Sequence, residues 1–253
     1  MSWWKTKQMN TFRVGACTDV GMVREENQDA FGQFRQNGSS GTDEQLFILA
    51  DGMGGHVDGR EASHLAVEEV HRAFFKSSDG PVGQRLAKAL EAANERIIKR
   101  SHERDGVERM GTTCTALVIR QNEGYIAHVG DSRAYRINRN EMHQLTRDHT
   151  MVEEMRRQGV LTDSEARTHP RRHALTRALG IEPQLEVDLL DPLRVQAGEW
   201  YLMCSDGLSR VEESEIQQVV TSQDPQLACE QLVQMANDRG GHDNVTVLVV
   251  QVQ

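Results

Sequence analysis

Apolar and polar residues follow one another along this chain in two rhythms. Short runs rich in apolar and β-branched residues recur at Phe12 to Thr18, Gln45 to Ala50, Thr112 to Ile119, Gly124 to Val129, Trp200 to Cys204 and Val245 to Val250. Runs of this length and make-up predict strands. Between them the period lengthens to that of a helix. Arg60 to Lys76 carries Ala62, Leu65, Ala66, Val70 and Phe74 on one broad face, and Val82 to Arg100 repeats the pattern with Leu86, Leu90, Ala93 and Ile97. Two further helices are predicted over Ser214 to Thr221 and Pro225 to Asp238, the second opened by Asp224 as N-cap and Pro225 in the first turn. The two long helices follow each other with no strand between them, and strands then run in series. That order predicts a mixed α+β fold, not the regular βαβ alternation of a doubly wound sheet.

One stretch breaks both rhythms. From about Arg147 to Gly180 apolar runs are short, and Arg156, Arg157, Arg167, His169, Arg171, Arg172, His173 and Arg177 crowd together. This predicts a surface insertion of short helices and loop, a flap over about 147–180, of the kind that often carries function. Its histidines and arginines read equally as a solvated face or as groups that attract a phosphopeptide.

Composition narrows the class. The chain has 253 residues, enough for one large core. Hydrophobic residues make up 38% and charged residues 26%, as in a globular protein. No apolar run approaches the roughly 20 residues of a membrane helix. The segment 1–11 has Lys5 and Lys7 but no apolar stretch of a secretory leader. It reads as an extension whose Trp3 and Trp4 pack on the surface of the domain 12–253 or, as the second reading, bind a partner. These features together predict a cytoplasmic monomer with no membrane partner. With 29 basic against 38 acidic side chains the formal charge is −9, the opposite of a nucleic-acid binder's footprint. Of four cysteines, none of which forms a CxxC pair, Cys17, Cys114 and Cys204 sit in apolar, strand-like segments and read as small core residues of a reduced protein.

The chemistry lies in where the aspartates fall. Leu46 to Ala50 ends in Asp51-Gly52, Tyr125 to Val129 in Gly130-Asp131, and Tyr201 to Ser205 in Asp206-Gly207. Asp243-Asn244 stands just before the last strand, and Asn27-Gln28-Asp29 precedes another short one. Clustered carboxylates repel unless cations sit between them, and hard divalent cations prefer oxygen ligands. A glycine after an aspartate allows a tight turn and an exposed carbonyl. A single Asp-Gly after a strand is, however, an ordinary turn.

Read together, these segments resemble the metal-dependent protein phosphatases, the type 2C family in its bacterial form. The resemblance rests on Asp19-Val20-Gly21 with Arg24 to Asp29; Ala50 to His56 with Gly59, Ala62 and Ser63; Met110 to Thr113; Val129 to Tyr135; Leu145 to His149; Leu175 to Gly180; Ser205 to Leu208; and Asp243 to Thr246. Eight motifs in the family's order span nearly the whole chain. The resemblance implies a four-layer α/β/β/α sandwich of two antiparallel sheets flanked by helix pairs. It implies a protein serine/threonine phosphatase that uses Mn²⁺ or Mg²⁺, two core ions and a third, looser one. Asp51 is then the bridging ligand, Gly52 gives its carbonyl, and Asp206 and Asp243 complete the set. Asp29 orients from the outer shell, Asp131 shares the third ion with Asp206, and Arg24 pairs with the substrate phosphate, a task suited to the guanidinium fork. A metal-bridged hydroxide attacks phosphorus in line, without a phosphoenzyme. The implied partners are phosphorylated proteins and a cognate Hanks-type kinase, which the enzyme opposes.

Two positions depart from the family pattern. Gln28 stands where glutamate is common, and Met53 stands where eukaryotic relatives often have a histidine that protonates the leaving group. Methionine cannot do so, and no acid is assigned. His56 reads as structural and His128 as a strand residue. Two other readings stay open at this level: a small-phosphoester hydrolase and a catalytically silent phosphoprotein-binding module. The P-loop reading of Gly52 to Gly55 is disfavoured, because no Gly-Lys-Ser/Thr follows.

Overall fold

The apolar strand runs owe their continuity to burial on both faces. Along β3 (Glu44–Met53), Leu46, Ile48 and Ala50 pack toward helices while Phe47 and Leu49 pack toward a second sheet. Along β12 (Val245–Val252), Val245, Val247 and Val249 face helices, and Leu248, Val250 and Val252 face the first sheet. The period of two thus sends alternate residues into different cores. The described residues of this computed structural model are 11–36, 43–53, 56–77, 79–103 and 109–253. Trp3, Trp4, Gly54, Gly55 and the side chain of His56 lie outside them.

In chain order the remaining elements begin with β1 (Phe12–Asp19) and β2 (Asp29–Gln36), then α1 (His56–Lys76) and α2 (Val82–His102) after β3. Strands β4 (Gly111–Thr112), β5 (Cys114–Arg120), β6 (Glu123–Val129), β7 (Arg133–Ile137) and β8 (Met142–Gln144) follow. The flap holds α3 (Met151–Arg157) and α4 (Asp163–Thr168). Then come β9 (Asp188–Leu189), β10 (Leu193–Arg194), β11 (Trp200–Cys204), a 3-10 turn (Asp206–Arg210), α5 (Glu213–Ser222) and α6 (Pro225–Asp238) before β12. One sheet runs β1-β12-β11-β7-β8 and the other β10-β6-β5-β3-β2, with every pairing antiparallel. Helices α1 and α2 cover the sheet that holds β3, α5 and α6 the sheet that holds β12, and a third core fills the space between the sheets. This is the four-layer α+β sandwich expected from the resemblance.

Local chemistry explains the boundaries. Asp224 caps α6 by accepting from the Gln226 amide at 3.0 Å, ahead of Pro225. Helix α1 starts four residues before the predicted Arg60, because its first turn is too polar to show a periodic face. The predicted strand Thr112–Ile119 is broken at Thr113. There the Thr113 amide donates to the Asp51 carbonyl at 2.8 Å, and its hydroxyl accepts from the Asp51 amide at 2.9 Å. β2 extends for eight residues, and β7, internal to its sheet but interrupted by Arg133 and Arg136, and the exposed edge strand β8 are both missed by the apolar-run criterion.

The flap is lightly anchored. Within its two helices only Val152 is buried. Its base is tied instead by polar contacts. His149 is buried, accepts the Gly130 amide at Nδ1 (3.1 Å) and meets Asp188 at Nε2 (3.1 Å), and Thr150 bridges to Leu175. Its neighbour His128 is fully buried between Thr115 and the Arg147 carbonyl, and burial pushes its pKa down to about 4. Cys114, Cys204 and Cys229 are buried and Cys17 half-buried, all as free thiols.

Candidate metal centre

Both sheets deliver aspartates to the same edge of the sandwich. Asp29 opens β2 directly opposite Asp51, near the end of β3. Asp131 lies two residues beyond β6, Asp206 opens the 3-10 turn after β11, and Asp243 stands two residues before β12. The charges of Asp29, Asp206, Asp131 and Asp243 all act on Asp51, so five carboxylates share one neighbourhood. Burial, and then this repulsion, holds the Asp51 carboxyl well above the usual range. Asp131 is pushed up to about 7 by burial and by the charges of Asp206 and Asp148, against the opposing pull of His173 and Arg133.

Asp29 is the most enclosed of the five in its hydrogen bonding. Its Oδ2 accepts from Ser205 Oγ at 2.7 Å and Thr246 Oγ1 at 2.6 Å. Ser205 Oγ in turn accepts the Thr246 amide, and the Thr246 hydroxyl contacts Thr18 Oγ1, which accepts from Asn27. Burial raises the Asp29 pKa to about 6 in spite of the two hydroxyls. Its Oδ1 is buried and has no hydrogen-bond partner among the described residues. Asn244 ties the edges together, donating to the Val20 and Glu26 carbonyls and accepting the Gln28 amide at 2.8 Å.

The glycines serve a different purpose from the turns expected for them. Gly52 lies inside β3, opposite Thr112, and a Cβ there would come within 2.1 Å of the Gly59 carbonyl oxygen. Gly207 is similarly closed off by the Asn244 carbonyl at 2.1 Å. Backbone approach, not a turn, demands glycine at both. Gly130 alone of the three has a left-handed φ, +113°, and turns the chain into Asp131.

A site residue that sequence reasoning left undecided is His173. From the flap its Nδ1–H donates to Asp206 Oδ2 at 3.0 Å, and this bond raises the imidazole pKa. One donor atom each from Asp131, His173 and Asp206 can lie within 4.8 Å of one another. Ser205 and Thr246 were also missed as ligand supports. Each stands within one of the motifs quoted above, but only the meeting of β11 and β12 with β2 brings them to Asp29.

Arg24, on the connection between β1 and β2, donates to Asp243 Oδ2 at 2.7 Å and stays half-exposed. It is therefore at the centre, but resting on a carboxylate. Arg24→Ala is expected to raise KM for a phosphopeptide by about tenfold, the value of one charge-assisted contact. Removing a competing cation from Asp243 cannot weaken metal binding, so calorimetric metal affinity should hold or improve. A weaker affinity would place Arg24 in support of the metal ligands instead of the phosphate.

The donor set fits hard divalent cations. It is all carboxylate with one adjacent imidazole, Asp29 and Asp131 are buried while Asp206 and Asp243 line the open cavity, and Asp29 keeps an oxygen without a hydrogen bond among the described residues. Beside it a cavity of about 1110 Å³ runs from Asp131, Asp206 and Asp243 to the flap.

The protein phosphatase 2C family model matches residues 23–248. The chain belongs to that family and is a protein phosphatase. Among curated relatives, the serine/threonine phosphatase Stp of Listeria monocytogenes is 35% identical over 240 residues, covering 92% of this chain and 93% of that one. The solved serine/threonine phosphatase of S. agalactiae superposes with a TM-score of 0.88 at 33% identity, covering 96% of this chain and all of that one. The catalytic domain of PstP, solved in complex with two manganese ions, superposes with a TM-score of 0.82 at 34% identity over 96% and 99% of the two chains. Metal dependence is a property of the family. No helix among the described residues is long and apolar enough to cross a membrane.

Proposed function

We propose that the aspartate edge is a divalent-metal catalytic centre in which Asp51, Asp206 and Asp243, with the Gly52 carbonyl, hold two cations. The chain is a protein serine/threonine phosphatase, a phosphoric monoester hydrolase. The observation that carries the assignment is the convergence on buried Asp51 of four further carboxylates, which is costly unless cations are present. When bound, Mn²⁺ or Mg²⁺ supplies Lewis-acid polarisation and an acidified water as nucleophile. Asp29 stays behind the ligands, where Ser205 and Thr246 fix one oxygen and leave the other to orient water. Asp131, with Asp206, forms a looser third site. Arg24 leaves Asp243 for the incoming phosphate and orients it by its planar fork.

The flap, 147–180, acts as a substrate-recognition subdomain of the domain 12–253. The substrates are phosphoproteins of the cytoplasm, the enzyme acts as a monomer, and it opposes a cognate Ser/Thr kinase. The test is a comparison of a phosphothreonine peptide with a sugar phosphate, on protein stripped with chelator and then reloaded with Mn²⁺ or Mg²⁺. Turnover is expected only after reloading, and with higher kcat/KM on the peptide. Full activity after verified stripping would exclude the metal mechanism, and a preference for the sugar phosphate would favour a small-phosphoester hydrolase.

A further inference from the structure

The flap carries a charge balance opposite to that of the whole. Residues 147–180 hold seven arginines against five carboxylates, in a chain of net charge −9. Arg171 lies outside the cavity lining, and the other six arginines fall into two groups. Arg147 and Arg177 pair with Asp188, and Arg156 is held by Glu153 and Asp163. Arg157, Arg167 and Arg172 are exposed and make no side-chain hydrogen bond or ion pair with a described residue. All three line the cavity whose other end is formed by Asp131, Asp206 and Asp243.

The position of this second group is informative. Arg172 adjoins His173, which touches Asp206, so the cationic wall begins at the edge of the metal centre. The wall at the start of α5 carries Glu212 and Glu213 and disfavours anions there. A concave cleft focuses the field of like charges along one wall. Guanidinium forks match phosphate and carboxylate oxygens two at a time. A compact volume of 1110 Å³ is about 13 Å across, which at roughly 3.3 Å per residue accommodates about four residues of extended peptide.

We propose that the flap wall of Arg157, Arg167 and Arg172 is a second anion subsite, selecting protein segments that carry another phosphate or carboxylate within about four residues of the one hydrolysed. This rests on the phosphatase reading of the aspartate centre. The phosphoresidue sits at the metal end, the peptide crosses the cavity, and the neighbouring anion meets guanidinium groups that have no partner among the described residues. Binding there lowers KM more than it changes kcat, because the contact is the same in ground and transition states.

The experiment uses the metal-loaded enzyme and three phosphothreonine peptides of one backbone. One has neutral flanks, one has a glutamate and one a second phosphothreonine two to four residues away. Wild type is expected to favour the anionic peptides by about tenfold in kcat/KM, the yield of one or two exposed charge contacts, with the advantage shrinking at high salt. An advantage for both anionic peptides supports general anion recognition, and one for the second phosphate alone narrows the class to multiply phosphorylated segments. In the triple variant Arg157→Gln, Arg167→Gln, Arg172→Gln the ratio should fall to about one. Arg157→Glu with Arg172→Glu should invert the preference toward a lysine-bearing peptide, an outcome that general loss of structure cannot produce. A ratio near one in wild type, or the same ratio in wild type and triple variant, overturns the subsite. Wild-type turnover of the neutral peptide tests the phosphatase reading separately.

Discussion

Asp206→Asn and Asp243→Asn are each expected to lower kcat on a phosphothreonine peptide by about 10³-fold or more, the loss that follows removal of a major electrostatic stabiliser. Asparagine keeps the shape and one acceptor oxygen, so the contacts that shape each loop can persist. At Asp206 an amide oxygen can still accept from His173 Nδ1, and at Asp243 it can still accept from Arg24. What is lost is a negative charge facing buried Asp51. A cation held among fewer charges binds less tightly and polarises substrate oxygens less well. The measurement is kcat with the thermal midpoint and calorimetric metal stoichiometry taken on the same samples. A loss below tenfold with full metal loading would remove that aspartate from the ligand set.

The second large effect is on stability without metal. Asp29 and Asp131 have folded-state pKa values of about 6 and about 7, and Asp51 is also raised, all above the roughly 3.9 of an unfolded aspartate. Raised carboxyls bind more protons folded than unfolded between these limits. Their favourable contribution is therefore complete below about pH 4 and is lost as pH rises through 6 to 7. His128 and His149, held neutral by burial, act in the other direction below their unfolded pKa of about 6.5. The difference between wild type and Asp131→Asn isolates the aspartate term. In chelator above pH 7 the variant should melt several degrees higher, since each kcal/mol is worth about 2–4 °C in a chain of this size. With saturating Mn²⁺ the gap should shrink or reverse, because the wild type gains more from the ion. Scanning calorimetry with and without chelator across pH 4–8 checks both signs. A metal-free variant that melts below wild type at pH 7.5 would show that Asp131 supports the loop instead of straining it.

Much of the fold is legible along the chain for a plain reason. Two-sided burial makes β3, β5, β11 and β12 continuous apolar runs, and one-sided burial gives α1 and α2 their period. Where burial is weak, as in β8 at the sheet edge, the signal fades, and in β7 two arginines interrupt the apolar run although Ala134, Tyr135 and Ile137 are buried. The polar make-up of 147–180 likewise marks a flap whose two helices bury only Val152.

The aspartates themselves are visible in sequence, because a carboxylate at the end of an apolar strand is out of place. Their roles as turn formers or as one cluster are not visible, since Asp51 and Asp243 lie far apart in the chain and meet only when the two sheets stack. The same holds for Ser205 and Thr246 on Asp29, and for His173 on Asp206. Glycine at 52 and 207 looks like turn chemistry, yet the approach of Gly59 and Asn244 excludes any side chain there. Hydrophobic period is a local property, so the sequence by itself determined most of the strands and helices and the mixed α+β class, while the four layers were implied by the family resemblance. Electrostatic repulsion, hydrogen bonding and steric exclusion depend on distance in space, so only the tertiary structure decided which polar groups form the centre.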